Sequence, residues 1–150
     1  MADRFLTLTE FYARAGGTER VQRLAPQSEG GVDVAAVTAA KERGEVEAFS
    51  RLSARYPTQL PTTPATTPDV LKDVVARAAL YHLAAASRDL VAEELRRGYD
   101  DALSWYRDVV AGRANLDLAP AAAIDRSAPQ ILASKAAADF VFAGGALDDW

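Results

Sequence analysis

The chain has 150 residues, 17 Lys and Arg against 21 Asp and Glu, one His and no Cys. That length suits a single domain with a sizeable core, and the 49% hydrophobic content excludes a chain disordered throughout. The lack of cysteine excludes disulfides, thiolate metal sites and cysteine nucleophiles. A net charge of −4 argues against a general nucleic-acid binder, which needs a concentrated basic surface.

No apolar run approaches the roughly 20 residues of a membrane span. The opening Met1-Ala2-Asp3-Arg4-Phe5 predicts no secretory signal, so the expectation is a soluble, acidic protein compatible with the cytoplasm. Alanine is the commonest residue, while β-branched and aromatic residues are sparse, a balance that favours helices over sheets.

Thr7-Leu8-Thr9-Glu10 has the form of a capping box, which predicts a short helix carrying Phe11 and Tyr12 and stopping at Gly16-Gly17. A second helical turn is expected over residues 18–24, ended by Pro26, and residues 28–31 read as a loop. Asp33 should cap a long helix reaching about Arg55. Its apolar positions Val34, Val37, Ala40, Ala48, Phe49 and Leu52 recur at threes and fours, with a gap at Lys41 and Gly44. A mid-helix glycine costs about 1 kcal/mol relative to alanine, so Gly44 points to close packing against a neighbour.

Residues 56–68 hold four of the seven prolines and cannot continue a helix. Thr67-Pro68-Asp69 then reads as a helix start: a capping hydroxyl, proline at the first position and an acid near the positive end of the dipole. The helix that follows is expected to bury Val70, Leu71, Val74, Val75, Ala78, Tyr81 and Leu83. A break near Ser87-Arg88 leads into a further long helix, roughly residues 90–111. Its inner face is Leu95, Tyr99, Ala102, Leu103, Tyr106 and Val109/Val110, and Gly112 ends it.

The expected fold class is therefore all-α: a small helical bundle with two long and several short helices, followed by an extended C-terminal tail. The division is a helical domain at 1–118 and a docking tail at 119–150. After Leu118 small residues alternate with breakers, and the last dozen residues contain Phe140, Phe142, Leu147 and Trp150. Two readings of that ending stand side by side. It folds back onto its own core, as a short hairpin around Gly144-Gly145, or it docks into a partner through aromatic anchors or an added strand.

No phosphate-binding loop, dinucleotide fingerprint, nucleophile elbow or zinc-protease motif occurs. The one histidine, His82, lies within a helix and reads as a packed or surface residue. The acid pairs Glu93-Glu94, Asp100-Asp101 and Asp148-Asp149 make poor catalytic dyads, because adjacent helical residues diverge. Tyr99, Trp105 and Tyr106 sit near helical spacing among acids, which favours packing over base stacking. Arg14, Arg20 and Arg23 are too few for a phosphate track. No catalytic residue, metal site or cofactor is expected, and the reading is of a protein that is not an enzyme.

The order of features resembles the head–tail connector family typified by the Mu-like prophage gp36 proteins. Matching residues are Phe5-Leu6-Thr7 ahead of a short helix with Gly16, and a long helix ending in Leu52-x-x-Arg55-Tyr56 before Leu60-Pro61. They continue with Ala78/Ala79-x-Tyr81-x-Leu83, Tyr99-Asp100-Asp101-Ala102-Leu103-x-Trp105, and Val110-Ala111-Gly112 with Leu116. The tail matches at Phe140-x-Phe142 and Leu147-x-x-Trp150. Phe49 departs from the pattern, standing where relatives often carry an acid.

The resemblance implies a virion structural protein at the head–tail junction of a bacteriophage, assembled in the bacterial host cytoplasm. Such head-completion adaptors form rings, commonly of twelve copies, between a portal protein and a tail-side connector, stopper or tail terminator. Double-stranded DNA passes through the channel without sequence-specific binding, and no membrane is involved. Phe140, Phe142, Leu147 and Trp150 are then the portal- or partner-docking residues. Arg55, Tyr56, Tyr81, Tyr99, Trp105 and Tyr106 serve core or inter-subunit packing. The alternative is a small helical protein-binding regulator unrelated to virion assembly, with the aromatic ending covering its own groove or a partner's.

Overall fold

The computed structural model describes residues 3–27, 30–87, 91–116 and 118. They form an all-α fold of helices α1 (Leu8–Arg14), α2 (Thr18–Leu24), α3 (Val34–Leu52), α4 (Asp69–Ala86) and α5 (Glu93–Val110), with a short 3-10 turn at Pro64–Thr66. Three helices are long, rather than two: α3 has 19 residues and α4 and α5 have 18 each. The alanine-rich run through Ala86 keeps α4 helical to a length equal to its neighbours'. Helix α4 is central, packing most extensively on α3 and then on α5, while α1 touches α2, α3 and α4.

Local chemistry sets most of the boundaries. The Thr7 hydroxyl accepts from Glu10 N, and the Glu10 carboxylate reaches back to Thr7 N at 2.8 Å, closing the capping box. Asp33 caps α3 by accepting from Ala36 N at 3.0 Å. Gly16 and Gly17 take positive φ, which lets the chain turn directly from α1 into α2.

Four expectations about helix ends fail. Thr67 does not cap α4: its hydroxyl is turned back to donate to the Thr63 carbonyl at 3.0 Å, and Pro68, expected at the first helical position, occupies the cap position instead. Val70 is exposed, since one turn into α4 the apolar stripe has passed to Leu71 and Val74. Val34 is exposed at the start of α3 for the same reason, with Val37 the first buried valine. Helix α5 begins at Glu93, where two acids meet the positive end of the helix dipole, rather than near residue 90.

The core runs from Phe5 to Leu116 and includes Phe11, Val37, Leu52, Tyr56, Leu71, Val75, Leu83, Tyr106 and Val109. Burying one such side chain is worth about 1.5–3 kcal/mol. Gly44 is where α3 and α4 come closest: a Cβ there would lie 3.0 Å from the Val75 carbonyl oxygen and 3.1 Å from Ala79 N. The gap in the α3 pattern is thus the crossing point of the bundle.

The other half of that gap is Lys41, 2% exposed and buried with Glu45. Glu45 Oε1 accepts three successive backbone N–H groups, from Arg4 (3.3 Å), Phe5 (2.9 Å) and Leu6 (3.1 Å). Lys41 Nζ donates to Asp3 Oδ1 (2.6 Å), to the Leu6 carbonyl (3.2 Å) and to Glu45 Oε2 (3.4 Å). The strap of residues 3–7 is tied to α3 by these two side chains, and its Phe5 and Leu6 are fully buried. Next to the strap, Lys72 of α4 donates to Glu10 Oε1 at 2.5 Å. That bond, with the one from Thr7 N, holds the Glu10 carboxyl down at about 2.

Replacing Glu45 by alanine strands three backbone N–H groups and removes one of three partners from the buried Lys41 ammonium, and should cost about 3–5 kcal/mol in urea unfolding. Lys41→Met leaves the carboxylate with its backbone donors and should cost clearly less. Equal losses would show that the two side chains act only as a pair.

Glu10 gives a pH signature. Its folded-state value lies below the ordinary 4.5, so its stabilisation is complete above 4.5 and drains away as pH falls toward 2. Glu10→Gln should therefore lower the melting temperature at pH 7, by roughly 4 °C for the ~1 kcal/mol of a lost cap, and flatten the decline between pH 4.5 and 2.

Candidate functional site

The densest polar cluster among the described residues outside the strap joins the three long helices around Glu47 of α3. Glu47 Oε1 accepts from the Tyr99 hydroxyl of α5 at 2.9 Å and from Arg51 Nε and Nη2 at 3.0 and 2.8 Å. Its Oε2 lies 3.0 Å from His82 Nε2 of α4. Helical spacing puts Arg51 one turn beyond Glu47, and neighbouring turns of α4 and α5 deliver the other two donors. The Tyr81 and Tyr99 rings stack with centroids 4.1 Å apart and planes 5° from parallel, and His82 meets Tyr99 edge-on at 5.6 Å.

Burial pushes the Glu47 carboxyl up, but the hydrogen bonds from His82, Arg51 and Tyr99 outweigh it and hold it below the ordinary value. A carboxylate kept ionised can only accept, so in the His82 contact Nε2 carries a proton and donates it to Glu47 Oε2. Burial raises the Tyr99 hydroxyl, and the adjacent Glu47 raises it further. Burial likewise pushes Tyr106 well above the usual phenol range, with Glu47 adding to it. Both oxygens of Glu47 are thus engaged by donors that favour its charged form. The arrangement does the work of a clamp across three helices, with a carboxylate poorly suited to taking up a proton.

The residues assigned from sequence to core or inter-subunit packing fall into three places. Tyr81 and Tyr99 belong to the cluster just described, half-buried where α4 meets α5. Tyr106 is buried, with Trp105 half-buried and edge-on to it at 5.7 Å. Tyr56 is buried just beyond α3, while Arg55 lies 5.8 Å from the centre of its ring and donates to the Val110 carbonyl at 3.4 Å. Arg55 thereby ties the end of α3 to the end of α5. Gly112 makes room for it: with φ +79°, a Cβ there would stand 2.8 Å from Arg55 Nη1. The tail residues Phe140, Phe142, Leu147 and Trp150, together with the division at 119–150, lie outside the described residues.

Sequence reasoning missed Glu47 and the pairing of Lys41 with Glu45. The available signal was the position of Lys41, Glu45 and Ala48 along one face of α3, where charged residues occupy apolar register. Phe49, the departure from the family pattern, is covered by the Arg4 guanidinium 3.8 Å from its ring centre, an interaction that needs an aromatic ring at that position.

Among the described residues no group of three or more His, Cys, Asp or Glu side chains is placed to hold a metal ion. No described helix is long and apolar enough to cross a membrane.

If Glu47 is the centre of the clamp, Glu47→Ala should cost about 2–3 kcal/mol in urea unfolding, because three donors lose their acceptor. His82→Ala should cost about 1 kcal/mol, since the carboxylate keeps its other partners. A histidine loss equal to the glutamate loss would move the centre to His82.

The family model described as Bacteriophage Mu, Gp36 matches residues 5–133, and the chain belongs to that family of phage proteins. No curated protein matches the chain.

Proposed function

From this Gp36-family membership we propose that the protein is a head–tail adaptor, forming a ring between the portal and the tail of a phage particle. The reading rests first on the family match across residues 5–133, which spans the helical body and enters the segment beyond it. Within the body, the described residues from Phe5 to Leu116 build one contiguous core. Phe140, Phe142, Leu147 and Trp150 come later in the chain, outside the described residues.

In this mechanism copies of the bundle pack side by side through a heterologous interface that closes into a ring, as twelve-copy adaptor rings do. The last dozen residues leave their own bundle and anchor in the portal or in an adjacent subunit. One buried aromatic contributes about 2–3 kcal/mol, less the cost of ordering the segment. Repetition around the ring makes a strong joint from weak contacts. The net charge of −4 disfavours retention of DNA on the wall of a channel it must pass through. A tail-side connector, stopper or tail terminator would meet the opposite face, and the protein would act without cofactor or catalysis at the head–tail junction.

Deleting residues 139–150 should leave the circular dichroism and melting temperature of the bundle close to those of the full chain. The same deletion should abolish the joining of heads to tails, counted by electron microscopy of particles made with the shortened protein. Unfolding of the shortened chain would place those residues in their own core and overturn the docking reading. His82→Ala should still join heads to tails, and complete loss of joining would favour a chemical role for that residue.

A further inference from the structure

Two mid-helix glycines differ in what surrounds them. Gly44 is forced by the approach of α4, whereas a Cβ on Gly98 of α5 would meet nothing within 4 Å. Glycine in a helix interior weakens folding roughly fivefold relative to alanine, and no packing among the described residues requires it at 98. Gly98 instead lines a groove of about 580 Å³ where the end of α1 and the start of α2 face α4 and α5. Its apolar floor is Leu80 and Leu95, and four arginines stand around it: Arg14, Arg20, Arg77 and Arg97.

The arginines are unequally occupied. Arg14 is held by Asp69 and Asp73. Arg20 pairs with Glu94 at 2.9 Å and Arg97 with Glu93 at 2.5 Å, but both acids are more than 70% exposed, so these pairs are weak and exchangeable. Arg77 is exposed and forms no salt bridge among the described residues. Glu93, Glu94 and Asp101 also line the groove, and with Arg14, Arg20 and Arg97 paired the cation left over for a ligand is Arg77.

We infer that this groove receives residues 139–150 of a neighbouring copy. This rests on the adaptor reading, and it names the surface of the adjacent subunit on which the ending docks. Residues 139–150 carry Asp139, Asp148 and Asp149, no Lys or Arg, and the four large apolar side chains. An acidic, aromatic segment fits an apolar floor whose rim holds four arginines against three acids: aromatic rings cover Leu80, Leu95 and the bare backbone at Gly98, and the aspartates reach Arg77 and Arg97. The chain from Leu118 to Phe140, about 22 residue steps, can extend about 70 Å, well beyond the roughly 27 Å length of α5, so an adjacent subunit is within reach. The depression on α3 beside Val46 and His82 is the rival surface. It is bordered by Glu42 and Glu47 as well as Arg43, and it contains no bare helical backbone.

The test uses the full chain carrying Trp105→Phe, which leaves Trp150 as the one tryptophan. Its emission should shift to the blue as protein concentration rises. Gly98→Gln, which fills the floor, and Arg77→Glu should each abolish that shift, while Gly98→Ala should raise the melting temperature. Combining Arg77→Glu with Asp148→Arg and Asp149→Arg should restore the shift, and Val46→Lys should leave it unchanged. Water-like emission at every concentration overturns the inference, as does a blue shift that responds to Val46→Lys and not to Gly98→Gln. A blue shift independent of concentration puts the segment in its own groove and overturns donation by a neighbour. The adaptor reading fails separately, if particles assembled without the protein join heads to tails as fully as those assembled with it.

Discussion

The fold depends on a carboxylate buried between α3 and the strap of residues 3–7. An ionised Glu45 inside a core is tolerable only if its lone pairs are filled, and three consecutive backbone donors with Lys41 fill them. The converse constraint is equally strict, because the N–H groups of a strap with no helical or sheet partner need an acceptor of their own. Glu45 satisfies both requirements. Phe5 and Leu6 can therefore enter the core from an irregular segment, and α1 starts in a fixed place against α4 through the Glu10–Lys72 contact.

Glu47, two residues further along α3, applies the same logic on the side of the helix that meets α5. Together the two carboxylates make α3 the reference element of the molecule, one fixing the strap and the other fixing α4 and α5. Hydrophobic burial supplies most of the stability but little of the register, since alanine-rich helix faces can slide with small loss. Directional bonds to a few charged groups, together with the close approach at Gly44, select one arrangement.

What the sequence made legible follows from the range of each effect. Caps and breakers act within four residues, so the capping box at Thr7 and Glu10, the Asp33 cap and the turn at Gly16-Gly17 could be read directly. The long helices were legible from their apolar period, and Gly44 from its cost. Lys41 and Glu45 were not, because a charge in apolar register looks like a flaw until its partner, some 35–41 residues away, is in place. Val34 and Val70 failed for a related reason: each stands on the outward side of its helix's first turn, and in α4 the adjacent Leu71 takes the buried position instead. Thr67 was assigned to the wrong partner because a hydroxyl beside a proline can turn back to the loop as easily as forward to the helix. The aromatic pairs of the candidate site were visible as residues but not as contacts, since stacking Tyr81 on Tyr99 depends on how α4 and α5 cross.

An adaptor of the kind proposed would have to keep its own shape while its edges engage, and the distribution of polar bonds here fits that demand. The buried ties lie between elements of one chain, in the strap and around Glu47. The ion pairs on the α2 and α5 surfaces, Arg20 with Glu94 and Arg97 with Glu93, are exposed and contribute little to folding. Exposed pairs are also the ones an incoming carboxylate can replace at small cost, whereas displacing a donor from Glu45 would open the core. The division of labour is therefore energetic as well as spatial: bonds that define the body are sheltered from exchange, and bonds at the groove are left free to exchange.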